Sequence, residues 1–155
     1  MTNLLKILIV YYSQTGNTEK MARAVEEGAK SVVGIDVVVK YFVKPEELAD
    51  SDGIILGAPT YYHDMGMDMK NLLEGAAKDE INLKGKVGAT FGSYGWSGEA
   101  PNLLLEIIKN RFGMDVIEPS LRIKYNPDKK GLDECFHLGK TVAEKVLKKS
   151  LKSDI

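Results

Sequence analysis

One cysteine, Cys135, and two histidines, His63 and His137, are all the thiols and imidazoles that 155 residues contain. A lone thiol cannot close an internal disulfide, so the sequence fits a reducing compartment and points to the cytoplasm. Two histidines do not supply a cluster of imidazole ligands, and no metal is expected. Long hydrophobic runs are missing as well. The apolar opening, Leu4 to Tyr12, has the length of a strand, falls short of a membrane span and lacks the small-residue site that follows a signal-peptide core. Nor is there an excess of one charge. Its 21 basic residues stand against 22 acidic ones, so no overall field recommends nucleic acid or an anionic membrane as a partner.

What the sequence does contain is alternation. Apolar runs of strand length recur at Leu5 to Tyr11, Ile35 to Lys40, Gly53 to Ala58 and Lys86 to Gly92, with a weaker one at Asp115 to Ile117. The first and third are apolar almost throughout, as expected of central parallel strands covered on both faces. Between them, apolar residues return at helical spacing. Thr18 to Lys30 lines up Met21, Ala22, Val25 and Ala29, while Met67 to Ala77 and Asn102 to Phe112 show similar stripes. Gly131 to Leu151 gathers Leu132, Cys135, Leu138, Val142, Val146 and Leu151 on its inner face. Strand and helix in repeated succession predict an α/β fold, a doubly wound five-stranded parallel sheet with helices on both faces. No linker or repeat divides it, and residues 1–155 read as a single domain. In open sheets of this kind, ligands bind beyond the carboxyl ends of the strands, where the strand order reverses.

The loop after the first strand is Ser13-Gln14-Thr15-Gly16-Asn17-Thr18, and a helix follows. A helix start presents N–H groups and the positive end of a dipole; hydroxyls of Ser13, Thr15 and Thr18 can donate to phosphate oxygens, and Gly16 permits close approach. The same residues also suit an ordinary hydroxyl-capped helix. Neither Gly-x-x-x-x-Gly-Lys-Ser/Thr nor Gly-x-Gly-x-x-Gly occurs, and the second strand ends at Lys40 without the acid that grips a dinucleotide ribose. A terminal monophosphate held by hydroxyls and amides, with no lysine, is the better fit. In this position Ser-Gln-Thr-Gly-Asn-Thr resembles the FMN phosphate loop of flavodoxins.

After the third strand comes Ala58-Pro59-Thr60-Tyr61-Tyr62-His63-Asp64-Met65-Gly66-Met67. Pro59 stiffens the turn, Thr60 can bond a ribityl or pyrimidine oxygen, and Tyr61 and Tyr62 either stack on a flat ring or cover the sheet edge. His63 is a solvated loop residue or a charge beside the ring at acid pH. After the fourth strand stands Gly92-Ser93-Tyr94-Gly95-Trp96-Ser97-Gly98-Glu99-Ala100. Its three glycines let backbone lie close to a planar ligand, and Tyr94 and Trp96 are further candidates to stack on it. This run resembles the corresponding loop in the flavodoxin domain of A-type flavoproteins, in which diiron and flavodoxin domains are fused. More loosely, Pro59-Thr60, Met65, Met69-Lys70 and Leu72-Leu73-Glu74 resemble the FMN-dependent NAD(P)H:quinone reductases.

These resemblances imply a flavodoxin-like fold holding one FMN non-covalently. The cofactor-binding set they imply is Ser13, Gln14, Thr15, Gly16, Asn17 and Thr18, then Pro59, Thr60, Tyr61, Tyr62 and His63, then Gly92, Ser93, Tyr94, Gly95, Trp96 and Gly98. The implied role is electron transport between a redox protein donor and a redox protein acceptor, with NAD(P)H:quinone reduction as the alternative. Bulky Tyr94 and Trp96 argue against space for nicotinamide, which favours the carrier. Oxygen or nitric oxide reduction at a diiron site is excluded for these residues on their own. Cys135, on an apolar stripe, is expected in the core.

Overall fold

The computed structural model describes residues 4–12, 16–41, 43–60, 66–95 and 98–153. Along the chain run β1 (Leu5–Tyr11), α1 (Asn17–Lys30), β2 (Ile35–Lys40), α2 (Pro45–Ala49), β3 (Gly53–Gly57) and α3 (Met67–Lys78). Then come β4 (Val87–Tyr94), α4 (Glu99–Glu106) with a π-helical turn (Ile107–Arg111), β5 (Asp115–Val116), β6 (Leu121–Lys124) and α5 (Lys129–Ser153). The sheet is ordered β2-β1-β3-β4-β5 and every recorded pairing is parallel. β5 lies beside Val87 and Gly88, and β6 beside Phe91 to Tyr94. The two short strands therefore share one edge, so five strand positions are filled as expected, the last in two pieces. Strand order reverses between β1 and β3, which makes their carboxyl ends the place to look for a ligand.

Alternation along the strands divides the core in two. Ile7, Ile9 and Tyr11 of β1 face α1 and α5, together with Ile55, Val87, Ala89 and Phe91. Leu8, Val10 and Tyr12 face α2, α3 and α4, together with Ile54 and Leu56. The apolar stripes of the sequence fall as expected on α1, where Met21, Ala22, Val25 and Ala29 are fully buried. On α5 the stripe ends earlier than its spacing suggests: Val146 is buried, but Leu151 is 67% exposed because the helix has by then run past the sheet.

α1 and α5 meet backbone to backbone. A Cβ at Gly28 would overlap the carbonyl oxygen of Phe136 and stand 2.9 Å from its Cα, and one at Gly139 would overlap the Val25 carbonyl oxygen and stand 2.9 Å from Ala29 N. Each helix places a glycine where the other's main chain passes. Beside this contact lies Cys135, fully buried as expected. Burial, then the nearby Glu134 charge, pushes its thiol up to about 12. Only the thiolate attacks disulfide reagents, so the native protein at pH 8 should resist them and react once urea unfolds it. Rapid labelling of the folded protein would show that this helix contact opens.

Among the described residues no helix is long and apolar enough to cross a membrane. Asp115, at the amino end of the sheet edge, is gripped by Lys145 and Lys149 of α5 at 2.8 and 2.9 Å. The Lys145 bond, opposed by partial burial and helped by Lys149, holds its carboxyl below the usual range. That tie is present at neutral pH and is lost as the pH falls through the lowered value.

Candidate functional site

Three loops leave the carboxyl ends of adjacent strands, and their bases are tied together by main-chain hydrogen bonds that outlast the strands. Tyr12 N–H donates to the Gly57 carbonyl at 3.0 Å, Ala58 N–H to Phe91 at 3.1 Å and Thr60 N–H to Ser93 at 3.3 Å. Such close passage needs small residues. A Cβ at Gly57 would overlap the Phe91 ring, and one at Gly92 would overlap the Ala58 carbonyl oxygen and sit 2.8 Å from Pro101 Cγ. The sequence reading expected Gly92 to admit a planar ligand; what comes close to it in the structure is the protein's own chain.

At the first loop, Gly16 turns into the helix with φ +89°, a left-handed conformation that glycine adopts without strain. Gly16 has no side chain with which to cap α1, and a helix start of this kind is a favourable place for an anion. Asn17 is the first residue of the helix, and Thr18, 1% exposed, sets its hydroxyl 3.0 Å from that of Ser93. The nearest cations in sequence are engaged elsewhere: Lys20 Nζ donates to Asn126 Oδ1 at 3.0 Å, and Arg23 pairs with Glu26 at 3.4 Å. Both nonetheless line a cavity with Gly16 and Glu19, so the described part of this loop has charged neighbours.

Half-buried Pro59 and Thr60 begin the second loop. The Thr60 hydroxyl oxygen accepts the Ala100 N–H at 3.1 Å, so a residue from one loop caps the helix that follows another, and its own proton remains available to donate. α3 starts after Gly66, whose φ of +87° again needs a glycine. In the third loop, Gly92, Ser93 and Tyr94 belong to β4 itself. The half-buried Tyr94 ring lies against the loop backbone, since a Cβ at Gly98 would stand 3.0 Å from it. Ser13, Gln14, Thr15, Tyr61, Tyr62, His63 and Trp96 lie outside the described residues.

Two aromatic groups beside these loops were not singled out in the sequence reading. Tyr125, after β6, takes φ +61°, donates its N–H to the Tyr94 carbonyl at 2.6 Å and lays its ring 3.6 Å from where a Gly95 Cβ would stand. Its guide was Tyr125-Asn126-Pro127-Asp128, a turn signature after a strand, which carried no weight because β6 was not recognised. Tyr11, Tyr12 and Tyr41 form the second group. Tyr41 meets the Tyr11 and Tyr12 rings edge-on at 5.3 and 5.6 Å, at the ends of β1 and β2. Burial, and then the Asp68 charge, pushes the Tyr12 phenol up to about 12. Glu19, Asp68 and Glu99 each stand in the first turn of a helix that begins at this end, which stabilises those helix starts.

The sequence profile described as Flavodoxin matches residues 9–139. The type A flavoprotein fprA of Rhodobacter capsulatus is 37% identical over 146 residues, 89% of this chain and 32% of that protein. A flavodoxin of Clostridium saccharobutylicum is 41% identical over 91 residues, 57% of this chain and 56% of the relative. The chain thus spans about a third of the first relative's length and just over half of the second's. Among solved structures, a flavodoxin from the domain Archaea superposes with a TM-score of 0.83 at 43% identity, covering 92% of this chain and 99% of that one.

Proposed function

From the premise that the chain belongs to the flavodoxin family, whose cofactor is FMN, we propose that it is an electron carrier passing electrons between redox protein partners in the cytoplasm. The observation that carries this reading is the joining of three loops at the β1, β3 and β4 ends around a helix start lined by buried, neutral hydroxyls. FMN, when bound, supplies a ring that takes up electrons and returns them.

The residues fit that group by the chemistry of their donors. A phosphate monoester needs several hydrogen-bond donors in one place, and hydroxyls of Ser13, Thr15 and Thr18 with the first amides of α1 provide them without a cation. Thr60 has a hydroxyl proton to offer on the sugar or ring side. Gly95 and Gly98 give the third loop a main chain able to lie close to a flat ligand. Tyr61, Tyr62, Tyr94 and Trp96 are the aromatic residues we assign to the ring's surroundings, with Gln14, Gly16, Asn17, Pro59, His63, Gly92 and Ser93 completing the site.

A carrier and a quinone reductase differ in whether a nicotinamide reaches the ring. Mixing the FMN-loaded protein with NADH or NADPH in the absence of air should leave the flavin absorbance unchanged over minutes, while a chemical reductant bleaches it. Rapid bleaching by the nicotinamide would replace the carrier with the reductase.

A further inference from the structure

Two buried hydroxyls meet where α1 begins. Thr18 is 1% and Ser93 5% exposed, and their oxygens lie 3.0 Å apart. One proton serves that bond, so the pair keeps a second. Among the described residues, neither side chain makes another hydrogen bond. A buried hydroxyl proton without an acceptor is costly, and its presence marks where an acceptor arrives.

The strand decides which oxygen keeps that proton. Val87, Ala89 and Phe91 of β4 all face α1 and α5, and the two-residue period sets Ser93 on the same side, beneath the first turn of α1. Ser93 is also fixed by its main chain, pairing in register with Ile123 and accepting the Thr60 N–H. Thr18, by contrast, is the second residue of the helix, among the amides of the anion site. We propose that Ser93 is a positioning residue of the phosphate pocket: its hydroxyl donates to Thr18 Oγ1 and so directs the Thr18 proton to the phosphate of FMN. This rests on the FMN reading above. Two hydroxyls in series polarise each other, which makes Thr18 a stronger donor than a lone threonine. Ser93 therefore acts at the phosphate end of the cofactor, although it stands in the run that the sequence associates with the ring.

The test compares FMN with riboflavin, which lacks only the phosphate. Both are titrated into the full chain stripped of flavin, in the native sequence and in Ser93→Ala, Thr18→Val and the double variant. The native chain should prefer FMN strongly; equal affinity would overturn the FMN reading itself. Ser93→Ala should weaken FMN about tenfold and leave riboflavin within about twofold, the loss expected of one bond to a charged acceptor. Added to Thr18→Val, the serine change should cost nothing further, because its effect runs through Thr18. Equal weakening of both flavins, unaltered FMN affinity, or additive losses would each overturn the role given to Ser93 while leaving the FMN reading in place. Thermal unfolding of each stripped chain monitors structure, and Ser93→Cys, similar in size and a weaker donor, gives the same comparison if alanine prevents folding.

Discussion

Gly139→Ala should lower the unfolding free energy by about 3 kcal/mol, at the upper end of what overpacking costs. For a domain of this size that is a fall in Tm of about 6 to 12 °C. The new methyl group would overlap the Val25 carbonyl oxygen of α1, and main-chain atoms cannot turn aside as a side chain can. Only a separation of α1 from α5 relieves it. α1 is held to the sheet by Met21, Val25 and Ala29, while α5 is held by Val142, Val146 and its two lysines on Asp115, so the separation exposes the larger part of one core half. The sign makes the test sharp. In the middle of an unobstructed helix the same change stabilises by about 0.5 to 1 kcal/mol. Urea unfolding followed by circular dichroism decides between them, and a gain in stability would mean that the helices do not touch as described. Gly28→Ala, facing the Phe136 carbonyl, should cost about as much, and the double variant less than the sum, since one displacement serves both.

Gly92→Ala should damage binding more than it damages the fold. Its Cβ would overlap the Ala58 carbonyl oxygen at the point where β3 gives way to the second loop. Pushing the two chains apart stretches the Ala58–Phe91 and Thr60–Ser93 main-chain bonds, which lie beyond the last residue of β3. The centre of the sheet, from Gly53 to Gly57, keeps its register on β4. We expect a stability loss of about 1 to 3 kcal/mol and a fall in FMN affinity of at least about a hundredfold, because two of the three loops lose their common footing and small misplacements are costly in preorganised sites. Fluorescence titration of the stripped chain, beside its urea unfolding curve, measures both. Unchanged FMN affinity in a folded variant would show that the loops reach the cofactor independently.

The parts of this molecule that depend on neighbours in sequence were legible; those that depend on neighbours in space were not. β1 and β3 announce themselves because a central parallel strand is apolar on both faces, and α1 because its stripe faces one surface throughout. α2 has recognisable ends, with Pro45 at the start and Glu47 reaching back to the Lys44 N–H at 2.7 Å, but five residues are too few to display a helical period. β6 is shorter still, and its residues alternate only between half-buried and exposed, which gives an edge strand little contrast. The start of α1 could be read because Gly16 and the residues that favour a helix start are concentrated there. By contrast, the bond between Thr18 and Ser93 spans 75 positions, and nothing in either segment names the other. Tyr125 likewise comes against the third loop only because β6 runs beside the end of β4.

The Thr60 cap on α4 gives the site a gauge. An amide near a helix end normally trades its hydrogen for solvent deuterium as that end frays. The Ala100 amide is instead held by a side chain from the second loop, 40 residues away. Its exchange therefore requires that loop to leave the third, and this one proton, followed by NMR, reports the fraction of time the two spend apart.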